Sequence, residues 1–186
     1  LRPSTGHVFI NGFDMNKAPL EAKRRIGYIP DEPFLYEKLT PAELMDLKGG
    51  LFGMNEDATE ARKMDLLEMV GMAEYSNDLI EGFSLGMKQR VAIATALLPD
   101  PEIVVVDEPL VGLDPRGMKR VKDIFLHLSG KGTTVLISTH MLNVVEELAH
   151  RIGVLDRGRL IAEGPLDSLR GSEDVKLETV FFRLFS

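Results

Sequence analysis

Apolar and polar positions along the chain change period twice. GHVFING (6–12) is a short apolar run closed by Asn-Gly, which predicts a strand ending in a turn. RRIGYIP (24–30) predicts a second strand, stopped by Pro30 and Pro33. From residue 36 to 98 the period becomes helical. Thr40, Pro41 and Glu43 supply an N-cap, a proline in the first turn and a capping-box partner for one helix. Ala61, Met64, Leu67 (or Leu66) and Val70 share a face of the next, and Gly71 ends it. A third helix is expected after Ser84, with Met87, Val91, Ala94 and Leu98 as its apolar stripe. The methionines of this region read as core filling.

After residue 98 strands and helices alternate. EIVVVDEP and TTVLIST are continuous apolar strands, and RGMKRVKDIFLHLSGKG is an amphipathic helix with a glycine stop. MLNVVEELAHR reads as a helix, and RIGVLDRGRLIAEG as two short strands around Arg157-Gly158. The tail GSEDVKLETVFFRLFS (171–186) is expected to be helical. Apolar strands alternating with helices predict an α/β fold with a parallel sheet covered on both faces, whose ligands bind at the carboxyl ends of the strands.

Composition narrows the class. The 186 residues suit one compact domain with an inserted subdomain. Hydrophobic residues at 44% and charged residues at 27% fit a globular core and argue against disorder. A net charge of -7 argues against nucleic acid as the main partner. The absence of cysteine removes disulfides and thiolate metal sites, and fits a reducing compartment. No apolar run approaches the ~18 residues of a membrane span and no leader is visible, so the expectation is a chain outside the bilayer or peripheral to it through a partner. The opening LRPSTGHVFING reads as if entered within a domain.

Three places carry candidate chemistry. Asp107 ends an apolar strand, where an unpaired carboxylate is costly and a magnesium ion would relieve the cost. Glu108 beside it is placed to orient or deprotonate a water. His140 ends the next strand, where a neutral imidazole could bond a terminal phosphate. Ser84 and Gly86 open a helix whose free N–H groups form an anion-binding end. Alone, each has an ordinary reading: a solvated acidic turn, a structural histidine, a capped helix.

Together the motifs resemble the nucleotide-binding subunit of ATP-binding cassette (ABC) transporters over nearly the whole chain. FSLGMKQR is similar to the LSGGQ signature, with Ser84, Gly86 and Gln89 matching and Met87 a variant. PDPEIVVVDEP resembles the Walker B strand, VGLDP the D-loop with Asp114, and ISTH the switch-histidine segment. The resemblance implies a P-loop NTPase (RecA-like) sheet with an inserted helical subdomain. Residues 1–33 would be a partial N-terminal core segment, 34–98 the helical subdomain with the signature, 99–165 the core with Walker B, D-loop and switch histidine, and 166–186 a tail helix. It implies ATP and Mg2+ as cofactors, with Asp107 holding the metal, Glu108 as the catalytic carboxylate and His140 on the γ-phosphate. Ser84 and Gly86 would clamp ATP bound to a second such subunit, Gln89 would belong to the same nucleotide-binding group, and Asp114 would lie at the subunit interface. A membrane-spanning permease would be the other partner, contacted by the helical insert, which places the subunit at the cytoplasmic face of the cell membrane.

Two departures qualify this. No G-x-x-x-x-G-K-[ST] phosphate loop occurs in the 186 residues. The chain therefore reads as truncated at its N-terminus, with very weak ATP binding, no useful hydrolysis and a tendency to associate. In IGYIPDEPFLY, Asp31 stands where the family has a Gln that touches magnesium; Asp31 could still bind the metal, or could only cap the following turn. Three functions follow: a transport ATPase of exporter type, a soluble ABC ATPase without a permease, and a non-catalytic regulatory cassette. Intact Glu108 and His140 argue against the last.

Overall fold

The computed structural model describes residues 3–170 and 178–179. The helix expected over 171–186 therefore lies almost wholly outside the described residues. Two compact units divide the chain, one ending at Ser138 and the other beginning at Thr139.

The first unit opens with a hairpin of β1 (Phe9–Ile10) and β2 (Phe13–Asp14), turned at Asn11-Gly12 with φ of 45° and 83°. Asn-Gly thus joins two strands rather than closing one, as its tolerance of positive φ at both turn positions favours. The Asp14 carboxylate accepts the Asn16 N–H at 2.8 Å and meets His7 Nδ1 at 3.2 Å. The Asn16 bond, ahead of His7, holds its pKa below the usual carboxylate value. Helix α1 (Pro19–Lys23) was not expected from the pattern; it precedes β3 (Ile26–Ile29) and buries only Ala22.

Helices α2 (Pro41–Phe52) and α3 (Glu56–Met69) form a pair. The expected capping box opens α2: the Glu43 N–H donates to Thr40 Oγ1 at 3.2 Å, and the Thr40 N–H to Glu43 Oε2 at 2.9 Å. A methyl group added at Gly49 of α2 would come within 2.5 Å of Thr59 Oγ1 on α3, so the two backbones touch here through Gly49. The buried face of α3 differs from the expected one. Thr59, Lys63, Leu66, Leu67 and Val70 are buried, while Met64 is 42% exposed. Lys63 explains the rotation, because its apolar stem is covered while its Nζ reaches Asp46 at 2.8 Å and Glu60 at 2.6 Å. Burial works against its charge, but the bonds to Asp46 and Glu60 outweigh that and raise its pKa.

Helix α4 (Leu85–Leu97) follows two short 3-10 turns and is buried on every side from Val91 to Leu97, rather than along one stripe. Strands β4 (Ile103–Asp107) and β5 (Thr134–Ser138), joined by α5 (Pro115–Gly130), complete a parallel sheet in the order β3-β4-β5. Two successive right-handed crossovers in one direction put α4 and α5 on the same side. That side is closely packed: a methyl group at Gly27 of β3 would lie 2.9 Å from the Ala96 carbonyl oxygen of α4.

Among the described residues of the first unit no helix covers the other face of this sheet. Tyr28, Val105 and Leu136 lie side by side in register, with Tyr28 58% and Leu136 62% exposed. Among the described residues β5 also pairs only with β4. An apolar face beside an unpaired strand edge favours association. Residues 1–186 are expected to form concentration-dependent oligomers in light scattering, and Tyr28→Ser with Leu136→Ser to return them toward monomer. Unchanged association in the double variant would place the sticky surface elsewhere.

In the second unit, α6 (Leu142–Leu148) precedes a hairpin of β6 (Arg151–Asp156) and β7 (Arg159–Pro165), turned at Arg157-Gly158 as expected. Helix α7 (Leu166–Arg170) follows β7. Among the described residues no helix is long and apolar enough to cross a membrane.

Candidate functional site

The carboxyl edge of the three-stranded sheet gathers the acids that the sequence singled out. β4 is central, so Asp107 leaves the sheet between its neighbours: Ile29 of β3 pairs with Val106, and Ser138 of β5 with Asp107. The Ser138 hydroxyl donates to Asp107 Oδ1. Asp31, two residues beyond β3, is exposed at the same edge. The Glu108 N–H donates to the Ser138 carbonyl at 3.0 Å, and Glu108 adopts φ of 43°. A non-glycine residue in the left-handed region costs on the order of 1 kcal/mol, and such costs concentrate where the direction of a residue matters. Glu108 is therefore turned off the strand axis while its backbone remains tied to β5.

The chain then makes a compact turn. The Val111 N–H donates to the Glu108 carbonyl and the Leu113 N–H to the Leu110 carbonyl, each at 3.3 Å. Gly112 has φ of 76°. Asp114 closes the turn as the N-cap of α5, its Oδ1 accepting the Gly117 N–H at 2.6 Å. Its carboxylate thus has a structural duty that the sequence reading did not assign.

The first turn of α4 packs on this turn. Ser84 is its N-cap and accepts the Met87 N–H at 3.3 Å. A methyl group at Gly86 would lie 2.8 Å from the Gly112 carbonyl oxygen, so glycine is what lets the two backbones meet. Gln89 is 1% exposed, and its Nε2 donates to the Pro30 carbonyl at 3.3 Å, linking α4 to the residue before Asp31. The fold places Gln89 inside the core and leaves Ser84 exposed at the helix start.

Two arginines missed by the sequence reading grip the end of α3. Arg90 of α4 donates from Nη1 to the carbonyls of Val70 and Gly71 at 3.4 and 3.1 Å, and from Nε to Gly86 at 3.3 Å. Arg120 of α5 donates to Glu68 and Met69 at 3.4 and 3.2 Å. Together they add donors to the carbonyls at the C-terminus of α3, where the helix dipole favours cations; the Glu68 carbonyl also accepts the Gly71 N–H at 2.9 Å. Gly71 ending α3 was a readable signal for that terminus; the arginines that fill it were not, because they lie 19 and 49 residues further along. Ser138 was likewise missed, although it stands beside Thr139-His140. His140 is exposed in the second unit, just before α6, where Thr139 Oγ1 accepts the Met141 N–H at 3.1 Å.

Among the described residues no group of three or more His, Asp and Glu side chains is placed to hold a metal by itself. Magnesium does not need one, since it is commonly held by one or two carboxylates together with water and substrate phosphates. Asp107, with one oxygen oriented by Ser138, fits that donor set.

Residues 1–111 match the family described as ABC transporter. An uncharacterised ABC transporter ATP-binding protein of Nostoc sp. PCC 7120 is 38% identical over 176 residues, covering 94% of this chain and 52% of that protein. The ABC transporter ATP-binding protein NatA of Bacillus subtilis is 38% identical over 93% of this chain and 71% of its own length. The linearmycin resistance ATP-binding protein LnrL of Bacillus subtilis is 37% identical over 86% of this chain and 51% of its own length. A solved ATP-binding subunit of an ABC transporter superposes with a TM-score of 0.93 at 32% identity, over 100% of this chain and 79% of that one. An ATP-binding cassette solved as a dimer with ADP and Pi gives 0.80 at 27% identity, over 89% and 75%. The chain thus spans about half the length of two of these relatives. With the acids at the strand ends, the helix start packed on the loop after them and these matches across most of its length, the chain belongs to the family of ABC transporter ATP-binding proteins.

Proposed function

We propose that these residues are part of a subunit that hydrolyses ATP to drive export across a membrane. The observation that carries the reading is the Asp107-Glu108 pair at the end of the central strand, with Glu108 turned to φ of 43° and tied to β5. Asp107, oriented by the Ser138 hydroxyl, would hold magnesium, and Asp31 at the neighbouring strand end is the second candidate ligand. The bound ion would neutralise phosphate charge. Glu108 accepts a proton from the attacking water, and His140 donates to the γ-phosphate. Ser84 and the open N–H groups after it meet the phosphates of ATP held by a second subunit, because a helix start favours anions. Gln89 supports that end of α4 from the core, and Asp114 orients the turn near the partner.

The partner is a second nucleotide-binding subunit, as in the related cassette solved as a dimer, and a membrane-spanning permease met by the helical insert. The export reading draws support from a relative whose name assigns it to linearmycin resistance. The subunit then works at the inner face of the membrane through its permease.

A Mg·ATP titration tests the reading at two lengths. Residues 1–186 alone are expected to bind weakly and release no phosphate, since their sequence contains no G-x-x-x-x-G-K-[ST] segment to supply phosphate-binding amides and a lysine. The full-length protein is expected to bind and hydrolyse. Tight binding by residues 1–186 would overturn the first expectation, and a full-length protein without turnover the second.

A further inference from the structure

Leu85 is one of three residues of FSLGM, with Phe83 and Met87, that depart from the LSGGQ pattern. Set against LSGGQ, the segment FSLGM places a leucine where the signature has its first glycine. Leu85 is 46% exposed, so core burial does not account for it either. Its side chain lies over Gly112: a methyl group added there would come within 2.7 Å of Leu85 Cδ2 and 3.0 Å of Cγ. The next residue, Gly86, packs on the Gly112 carbonyl, 2.8 Å from where a methyl group at Gly86 would stand. Gly112 thus serves two needs at once, its φ of 76° and the space that Leu85 fills.

The turn beneath is short and internally bonded. Val111 is tied to Glu108 and Leu113 to Leu110, while Glu108 is tied to Ser138 and Asp114 caps α5. A loop held at both ends and across its middle shifts as one piece. Arg90, one turn further along α4, bonds both the Gly86 carbonyl and the carbonyls of Val70 and Gly71 at the end of α3.

We propose that Leu85 is a positioning residue: seated on Gly112, it couples the first turn of α4 to the turn at 108–114, so that the placement of Glu108 follows the signature turn of its own subunit. The inference rests on the reading of Glu108 as the acid that acts on the attacking water. Its physical basis is packing, since a leucine filling the space above a glycine resists displacement in either direction.

The test uses the full-length protein with Leu85→Ala and Leu85→Met, and two readouts. In steady-state hydrolysis of Mg·ATP, Leu85→Ala is expected to lower kcat about tenfold with KM held within about twofold, because ångström-scale misplacement of a catalytic group costs up to ~100-fold. Leu85→Met, which conserves volume, is expected to restore most of kcat. In hydrogen exchange of the nucleotide-free protein, the amides of Val111 and Leu113 are expected to exchange faster in Leu85→Ala than in wild type and to recover in Leu85→Met. A rise in KM at unchanged kcat would make Leu85 a nucleotide contact and overturn the proposal. Unchanged exchange at 111 and 113 would overturn it as well. If the wild-type protein hydrolyses no ATP, the ATPase reading fails, and with it the claim for Glu108. The exchange measurement would then still decide whether Leu85 holds the turn.

Discussion

Glu108→Gln in the full-length protein is expected to lower ATP turnover by roughly 100- to 10,000-fold, the range associated with a lost general base. ATP-dependent dimerisation is expected to survive. The reason lies in what the substitution leaves in place. Gln has nearly the same shape as Glu, and the backbone that aims it is fixed independently, by the bond from the Glu108 N–H to Ser138 and by the φ of 43°. An amide can still hydrogen-bond a water but cannot take its proton. Magnesium binding should also persist, because Asp107 and Ser138 are untouched. Phosphate release and size-exclusion chromatography in the presence of ATP measure the two halves. Turnover within a fewfold of wild type would remove Glu108 from the chemistry. Loss of dimerisation together with turnover would assign it to nucleotide binding instead.

Gly27→Val is expected to have the largest effect on stability. Gly27 sits mid-strand in β3, paired with Val104, and it faces α4. A methyl group there would lie 2.9 Å from both the Ala96 carbonyl oxygen and Pro101 Cγ. The first of these is backbone and cannot rotate aside, so β3 or α4 must move. Overpacking of this kind costs about 3 kcal/mol, which for a domain of this size lowers Tm by roughly 6–12 °C. The damage should reach the site, because β3 leads into Pro30, whose carbonyl takes the bond from Gln89, and then into Asp31. Thermal unfolding followed by circular dichroism measures the loss. A Tm within about 2 °C of wild type would mean that the spacing between β3 and α4 yields at little cost.

Much of the architecture was legible because its causes are local. Thr40, Pro41 and Glu43 carry the chemistry of a helix start within four positions, and the capping box forms as written. Asn11-Gly12 and Arg157-Gly158 meet the backbone demands of tight turns wherever they stand. The apolar run before Asp107 and the order of the motifs marked the strand edge where the acids gather. Periodicity misled where a polar residue behaves as an apolar one. Lys63 buries its stem and keeps its charge on Asp46 and Glu60, so the face of α3 turned away from the expected stripe, and Met64 was left 42% exposed. Helix α4 misled in the opposite sense: a helix buried all round offers no single face for a pattern to find.

By itself, then, the sequence determined the kinds of element, their order, their caps and the types of residue at the strand ends. Each of these follows from a few neighbouring residues and the backbone geometry they prefer. Only the tertiary structure decided which residues meet: Gly27 against Ala96, Leu85 and Gly86 over Gly112, two arginines on the end of α3, Gln89 on the Pro30 carbonyl, and a sheet face where Tyr28 and Leu136 are exposed. Those pairs lie tens of residues apart, and their contact depends on how helices and strands stack, which no local preference encodes.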